Sequence, residues 1–352
     1  MATGLLVGYF VPSVSDAFQS ASIGSVSLPV ALGLIVMLLP VFCKVPYEIL
    51  SHLFATRTFR EQTVFSAVLN WVIGPLMMTG LAWAALPDLP DYRDGLILIG
   101  LARCIAMVAL WNTLAEGSIE YCAILIAMNS IFQLIFYAPL AVLCIGVLSG
   151  NSKVGSNKLP TFFWNVTESV LIFLGIPLVI GVAIRYSLRN YMGSPWFDRV
   201  FIPRFSPLAL VGLLYTVVVL FAVQSRDIIN NIGSVLRVAV PLLCYFMLMF
   251  TLTLLLAYYF KFSYPYAVTQ AFTASSNNFE LAIAIAIGTF GVTSPTAVAA
   301  VVGPLIEVPV LLSLVYFALW LQPWWSRNLP PASLIQPQSD SCPMHSIRIT
   351  LV

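Results

Sequence analysis

The chain has 352 residues, of which 60% are hydrophobic and only 9% charged, and its formal net charge is +2. About a quarter of the residues in an ordinary soluble domain are charged, so this composition excludes a soluble globular protein. The small net charge gives no indication of nucleic acid binding, and no nucleic acid partner is expected. A mean hydropathy of +0.96 and repeated apolar runs of about 20 residues predict an all-α polytopic protein whose helices cross a lipid bilayer.

The apolar runs predict ten membrane spans in chain order, the first of them short. The apolar run at 4–11 covers only about half of a hydrocarbon core, so it is interpreted as the back half of a first helix. Spans two to ten are predicted at 28–43, 64–86, 95–115, 121–148, 167–188, 205–224, 235–260, 264–291 and 296–322.

Ten spans divide into two halves of five, and an odd number of spans inverts the second half relative to the first. We therefore predict a first repeat at 1–150 and a second, inverted repeat at 151–326. The remaining segment, 327–352, is rich in Pro and Ser and is predicted to be a disordered tail.

The loops differ in their basic residues from one side of the membrane to the other. One set of loops, which includes Arg57, Arg60 and Arg185, carries about twice as many Lys and Arg as the opposite set. The positive-inside rule then predicts that both termini are cytoplasmic, and we expect the protein in the plasma membrane.

Three ionisable residues are predicted to lie deep inside spans: Arg103 in span four, Glu280 in span nine and Glu307 in span ten. A charged residue at the bilayer centre costs about 2.5 to 3.5 kcal/mol on insertion scales, so such residues usually serve a function. In each half the unusual polar residues fall in the fourth and fifth spans, where inverted-repeat transporters place a site near the midplane. Packing roles remain open: either glutamate could be a protonated structural group, and Arg103 could be its counter-ion.

Side-chain amides accompany these ionisable groups. Asn129 and Gln133 are four residues apart in span five and share one helix face, while Asn277 and Asn278 belong to the polar run "TASSNN" in span nine. The side chains of such a run can replace backbone hydrogen bonds, so span nine could unwind there. Asn129 and Gln133 could also serve only as hydrogen-bonding partners between helices.

Cys104 is singled out by its position next to Arg103 in "GLARCIAM". The chain has six cysteines without a CxxC pair, so a disulfide framework is not expected, and an isolated membrane cysteine is usually a packing residue. A neighbouring cation favours the thiolate, however, which is a nucleophile and a ligand for soft metals. A single thiol also suits transport, because a closed set of soft ligands would trap a thiophilic ion.

Four segments resemble the arsenite efflux permeases of the Acr3 type, which belong to the bile-acid and sodium symporter superfamily. The segments are "GLARCIAMVALWN", "AMNSIFQLIFYAPL", "AFTASSNNFELAIAIAI" and "VVGPLIEVPVLLSL", and the similarity runs over nearly the whole chain. The resemblance implies a ten-helix fold with a panel domain and a core domain, in which broken helices four and nine cross. Family members carry a complete first helix, whereas this chain is expected to begin inside it.

The resemblance also implies roles for individual residues. The thiol of the fourth helix falls on Cys104, the glutamate of the "IEVPV" motif on Glu307, and the asparagine pair of the crossing on Asn277 and Asn278, followed by Glu280. The family extrudes As(OH)3 and is held to exchange it for protons.

The leading hypothesis is a secondary transporter that moves arsenite, and also antimonite, out of the cytoplasm in exchange for protons. Cys104 would be the ligand of the arsenic substrate and Arg103 would tune or brace the site. The four amides, Asn129, Gln133, Asn277 and Asn278, would bind hydroxyl groups. Glu307, and secondarily Glu280, would carry the proton.

Two alternatives come from different classes. A sodium-coupled importer of organic anions with the same fold would use Arg103 to bind a carboxylate, and the polar groups of span nine to bind Na⁺. An intramembrane enzyme is not expected, because HExxH, GxSxG and paired-aspartate motifs do not occur in the sequence. No cofactor is expected, and the oligomeric state is not predicted.

Overall fold

The computed structural model describes residues 2–10, 22–23, 26–48, 57–148, 158–292 and 294–329. These residues are almost entirely helical, which confirms the all-α prediction. The exception is a pair of two-residue antiparallel strands, β1 (Ser22–Ile23) and β2 (Val26–Ser27), directly before the second helix. The strand pair is not expected from the apolar runs of the sequence.

Thirteen helices are described, and several continue through a π-helical turn. The first six are α1 (Ala2–Phe10), α2 (Leu28–Lys44), α3 (Arg57–Val68, Leu69–Ile73 and Gly74–Ala85), α4 (Pro90–Leu101), α5 (Met107–Leu114) and α6 (Ile119–Ala141 and Val142–Leu148). The next three are α7 (Leu159–Val170, Leu171–Gly175 and Ile176–Met192), α8 (Ser194–Trp196, Phe197–Phe201, Ile202–Phe205 and Pro207–Val223) and α9 (Ser225–Asn230). The last four are α10 (Ile232–Tyr259), α11 (Tyr264–Ser275), α12 (Phe279–Phe290) and α13 (Pro295–Asn328).

Six of these helices, α3, α6, α7, α8, α10 and α13, are long and apolar enough to cross a membrane. The four remaining predicted spans correspond to α1, to the 17-residue α2 and to two helix pairs, α4 with α5 and α11 with α12. A polytopic membrane protein is thereby confirmed. The division into repeats at 1–150 and 151–326 stays a prediction.

Spans four and nine are each broken in the middle. Residues 102–106 separate α4 from α5, and residues 276–278 separate α11 from α12. The first half-helix of each pair begins with a proline at its first or second position, where the missing N–H costs nothing, and ends in an extended residue, Ala102 or Ser276. The predicted breaks in helices four and nine are therefore present.

The helices pack in two groups. One group contains α1, α2, α8 and the second half of α7, and the other contains α3, α4, α10, α11, α12 and α13 around the two breaks. The first half of α7 packs against α6 and α12 and so joins the groups. Close approach of α4 to α13 depends on Gly95, where a Cβ would lie 2.5 Å from the carbonyl oxygen of Thr296.

The boundary predicted for the disordered tail at 327 is wrong, because α13 continues to Asn328. The end of this helix is held by the backbone bond from Leu329 N to Trp325 O at 2.8 Å. The Trp325 indole N–H also donates to the carbonyl oxygen of Phe262 at 3.0 Å. Segment 330–352 of the predicted tail lies outside the described residues.

Candidate functional site at the crossing of two broken helices

The breaks in spans four and nine meet each other. Arg103 and Asn277 form an isolated antiparallel bridge, and the backbone N–H of Asn278 donates to the carbonyl oxygen of Ala102 at 3.0 Å. Unwound backbone inside a membrane must find partners within the protein. Each break therefore supplies hydrogen-bond partners to the unwound backbone of the other, and the predicted crossing is present.

Side chains supply further partners for the unwound backbone. The Oε1 atom of Gln133 accepts the N–H of Arg103 at 2.5 Å. The Nδ2 group of Asn277 donates to the carbonyl oxygens of Ile99 at 2.8 Å and Ala102 at 3.2 Å. Two of the predicted substrate-binding amides thus also stabilise the break in span four.

The Cys104 thiol lies at the start of α5 and is 2% exposed. Its sulfur accepts the backbone N–H of Val108 at 3.2 Å, so the positive end of the α5 dipole faces the sulfur atom. The thiol also interacts with the Ser276 side chain and lies near Glu307 and Glu280. Among the described residues no hydrogen bond joins the Arg103 guanidinium group to this thiol, and the expectation that Arg103 favours the thiolate stays a prediction.

Arg103 is fully buried, but its guanidinium group turns toward the ends of the two half-helices. It donates to the hydroxyl group of Tyr245 at 3.1 Å, to the carbonyl oxygen of Ala274 at 3.4 Å and to the carbonyl oxygen of Gly100. Within the described ranges it has no carboxylate partner at 4 Å or less, so the possibility that it is a counter-ion to Glu280 or Glu307 is not supported. Because residues 102–106 are not helical, helical spacing does not describe how Arg103 and Cys104 diverge.

Each of the four predicted amides uses one polar atom in the fold and keeps the other without a hydrogen-bond partner among the described residues. The bonded atoms are Asn129 Oδ1, which accepts from Trp71 Nε1 at 3.1 Å, Asn278 Oδ1, which accepts from Leu281 N at 3.1 Å, and the atoms of Gln133 and Asn277 given above. The unpartnered atoms are Asn129 Nδ2, Gln133 Nε2, Asn277 Oδ1 and Asn278 Nδ2. Buried amide atoms without a partner are costly, so they are candidates for contact with a ligand.

The two buried glutamates show the same pattern. Glu307 Oε1 accepts the Ser276 hydroxyl group at 2.5 Å and the backbone N–H of Asn277 at 3.4 Å. Glu307 Oε2 and Glu280 Oε1 have no hydrogen-bond partner in the described part of the chain. Glu280 lies in the first turn of α12, where the helix dipole favours an acidic group.

Sequence reasoning missed several residues around the site. Trp71, which fixes Asn129, and Tyr245, which contacts Arg103, belong to other spans, so no spacing within one helix could reveal them. Two further buried ionisable residues, Asp94 and Arg93, at 0% and 4% exposure, lie in the first half of α4 and not at its broken end. The sequence could have indicated both, since they directly precede the predicted start of span four.

The arrangement offers one soft ligand, several amides and two carboxyl groups in a buried location. Every predicted site residue is less than 5% exposed, so a ligand can reach them only if the helices move. The described residues contain no group of three or more His, Cys, Asp and Glu that could hold a metal ion. A single exchangeable contact to a thiophilic substrate is compatible with this composition.

Comparison with known proteins identifies the family. Residues 31–231 match the Sodium Bile acid symporter family. The chain belongs to this family. Because the family's members are transporters, the protein is a transporter and not an enzyme, as the sequence analysis predicted.

Three relatives extend the sodium bile acid symporter match to nearly the whole chain. The arsenical-resistance protein Acr3 of Corynebacterium glutamicum is 44% identical over 94% of this chain and 88% of its own length. The protein of the same name from Alkaliphilus metalliredigens is 30% identical, over 92% of this chain and 90% of its own. An uncharacterized transporter of Synechocystis is 33% identical, over 98% and 91%. Within the family the chain therefore groups with the Acr3 proteins, which confirms the resemblance.

Proposed function

We propose that the protein extrudes trivalent arsenite, and also antimonite, from the cytoplasm in exchange for protons. The observation that carries the proposal is the place of the Cys104 thiol. It lies at the crossing of the two broken helices, beside Ser276 and near Glu307 and Glu280. The names of the Acr3 relatives support arsenicals as the substrate class.

The chemistry of the substrate fits one thiol and several amides. As(OH)3 is uncharged near neutral pH, so the site need not neutralise a charge. The Cys104 sulfur forms a bond to arsenic as one As–O bond breaks, and the thiol proton leaves with the displaced hydroxide as water. The reverse step releases the substrate, because a single sulfur–arsenic bond is exchangeable.

The remaining hydroxyl groups of the bound arsenic need hydrogen-bond partners in a buried site. Asn129 Nδ2, Gln133 Nε2 and Asn278 Nδ2 are donors, and Asn277 Oδ1 is an acceptor. Hydroxyl groups both donate and accept, so this mixed set suits them better than it suits a carboxylate, which only accepts.

Glu307 is the proposed proton-coupling group, with Glu280 second. Glu307 receives hydrogen bonds from Ser276 and Asn277, so a change in its protonation alters contacts at the break in span nine. The same Ser276 side chain interacts with the Cys104 thiol. Proton loading and substrate binding therefore affect one another through a single residue.

The proposed transport cycle places the protein in the plasma membrane with both termini in the cytoplasm. The two halves, 1–150 and 151–326, would be inverted repeats, so that movement of one group of helices against the other exposes the buried site to each side in turn.

Substitution of Cys104 tests the proposal. Cys104→Ser and Cys104→Ala should abolish arsenite accumulation in everted membrane vesicles and the arsenite resistance of a sensitive host, at an unchanged amount of protein in the membrane. Cys122→Ser is the matched control, since Cys122 is equally buried but lies near the start of α6, away from the crossing. Arsenite accumulation that persists in Cys104→Ser vesicles would overturn the proposal.

A further inference from the structure

The guanidinium group of Arg103 contacts the carboxyl-terminal ends of two different half-helices. Gly100, whose carbonyl oxygen it reaches, lies in the last turn of α4, and Ala274, whose carbonyl oxygen lies at 3.4 Å, is in the last turn of α11. A neighbouring glycine makes room for this placement. A Cβ at Gly74 would lie 2.9 Å from the Nη1 atom of Arg103.

Each of these helix ends carries partial negative charge. The last carbonyl groups of a helix have no partner within it, and the aligned peptide dipoles are equivalent to roughly −0.5 elementary charge at that end. Two such ends together amount to about −1, which one guanidinium group balances. This accounts for a buried arginine that has no carboxylate partner at 4 Å or less among the described residues.

Transporters built on broken helices bind their coupling cations at such half-helix ends and unwound carbonyl groups. We propose that Arg103 is a tethered cation that joins the carboxyl-terminal ends of α4 and α11, so that the crossing forms without a bound sodium ion. Arg103 is then a positioning residue, because it acts on the helix ends and not on the substrate. This role deepens the proposed function, because it removes sodium from the coupling scheme. It rests on the proposed function only in those experiments that measure arsenite transport.

The geometry also separates this role from carboxylate binding. The Nη1 atom contacts Tyr245 and Ala274, and the Nη2 atom contacts Gly100, so both ends of the fork are directed at the protein. The Nε atom alone has no hydrogen-bond partner among the described residues, and it cannot form the two-pronged contact that a carboxylate prefers. A lysine cannot reproduce this fork, because an ammonium group is a point charge on a flexible stem. A neutral amide of similar reach supplies hydrogen bonds but no charge.

The test uses the full chain, purified and reconstituted, with four variants: Arg103→Ala, Arg103→Gln, Arg103→Lys and Tyr245→Phe. Arsenite transport by the wild type should be equal in sodium chloride and in choline chloride. Transport should fall at least about tenfold in Arg103→Ala and Arg103→Gln, because both variants lose a buried charge. The fall should be smaller in Arg103→Lys, which keeps the charge. Tyr245→Phe removes the hydroxyl group that accepts from Arg103 and donates to Ala274, but no charge, so its loss of transport should be much smaller than that of Arg103→Gln.

Addition of millimolar methylguanidinium chloride supplies the decisive arm. It should raise the transport rate of Arg103→Ala severalfold and its thermal unfolding temperature by some degrees. Choline chloride should change neither quantity. The unfolding temperature is measured without arsenite, so it tests the role of Arg103 separately from transport. If the wild type transports no arsenite, that result refutes the proposed function but not the role of Arg103. Wild-type rates in Arg103→Gln, sodium stimulation of the wild type, or failure of methylguanidinium to stabilise Arg103→Ala would each overturn the inference.

Discussion

Glu307 Oε1 accepts a hydrogen bond of 2.5 Å from the hydroxyl group of Ser276, the first residue after α11. This bond connects the long helix α13 to the break in span nine. Because Ser276 also interacts with the Cys104 thiol, one side chain stands between the proposed proton carrier and the proposed arsenic ligand. The hypothesis that proton binding and arsenite binding are coupled can therefore be tested by substituting Glu307, Ser276 and Cys104 separately.

Replacement of Glu307 by glutamine should separate substrate movement from proton coupling. Glu307→Gln cannot release a proton, so a pH gradient should no longer drive arsenite accumulation in vesicles, whereas exchange of labelled for unlabelled arsenite should persist. Glu280→Gln is the comparison. If Glu280→Gln, and not Glu307→Gln, removes the response to the pH gradient, the coupling group is Glu280.

Asn277 should contribute to stability as well as to the site. Asn277→Ala removes the hydrogen bonds to the carbonyl oxygens of Ile99 and Ala102, each of which keeps one backbone donor. The free energy of unfolding should therefore fall by about 0.5–1.5 kcal/mol for each lost bond. Thermal unfolding of the purified protein in detergent measures the change. The control is Asn328→Ala, which removes an exposed bond to Trp324 and should leave the transition nearly unchanged.

The indole of Trp71 should set the orientation of the Asn129 amide. Trp71→Phe keeps the aromatic ring but removes the donor to Asn129 Oδ1, so the amide is free to turn and the KM for arsenite should rise severalfold. Trp164→Phe alters a tryptophan that is 66% exposed and should leave KM unchanged. An unchanged KM in Trp71→Phe would mean that the orientation of Asn129 does not matter for binding.

Gly303 should tolerate no side chain. A Cβ at this position would overlap the ring of Phe279, the first residue of α12, so Gly303→Ala should cost about 1–3 kcal/mol through overpacking. Gly80 has no atom within 4 Å of the same point, and Gly80→Ala should be neutral or slightly stabilising. Equal unfolding temperatures for the two variants would contradict the close packing of α12 against α13.

One exposed ion pair predicts a pH dependence. Hydrogen bonds from Arg237 lower the pKa of Asp88 to about 2. A depressed folded-state pKa stabilises the protein above the unfolded value of about 3.9, and this contribution is lost as the pH falls toward 2. Both side chains are about half exposed, so the effect should be small and should weaken in high salt. The stability difference between wild type and Asp88→Asn should shrink between about pH 5 and pH 2; a constant difference would contradict the assignment.

The break in span nine was predictable from the sequence, whereas the break in span four was not. The run "TASSNN" contains short polar side chains that compete with backbone hydrogen bonds. By contrast, "LARCIAM" has neither proline nor a polar run, and only the resemblance implied a break there. The backbone unwinds because Gln133 and Asn277, from two other spans, supply the lost hydrogen bonds.

By itself, the sequence determined the membrane class, the number and approximate positions of the spans, the family resemblance and the candidate residues Cys104, Glu280 and Glu307. These follow from hydropathy and residue identity, which are local properties. Only the tertiary structure decided what Arg103 contacts, which atom of each amide remains unpartnered and which carboxyl groups lie near Cys104. Such facts depend on contacts between different spans, for example between Asn277 and Ile99, which are 178 residues apart, and spacing within one helix carries no information about them.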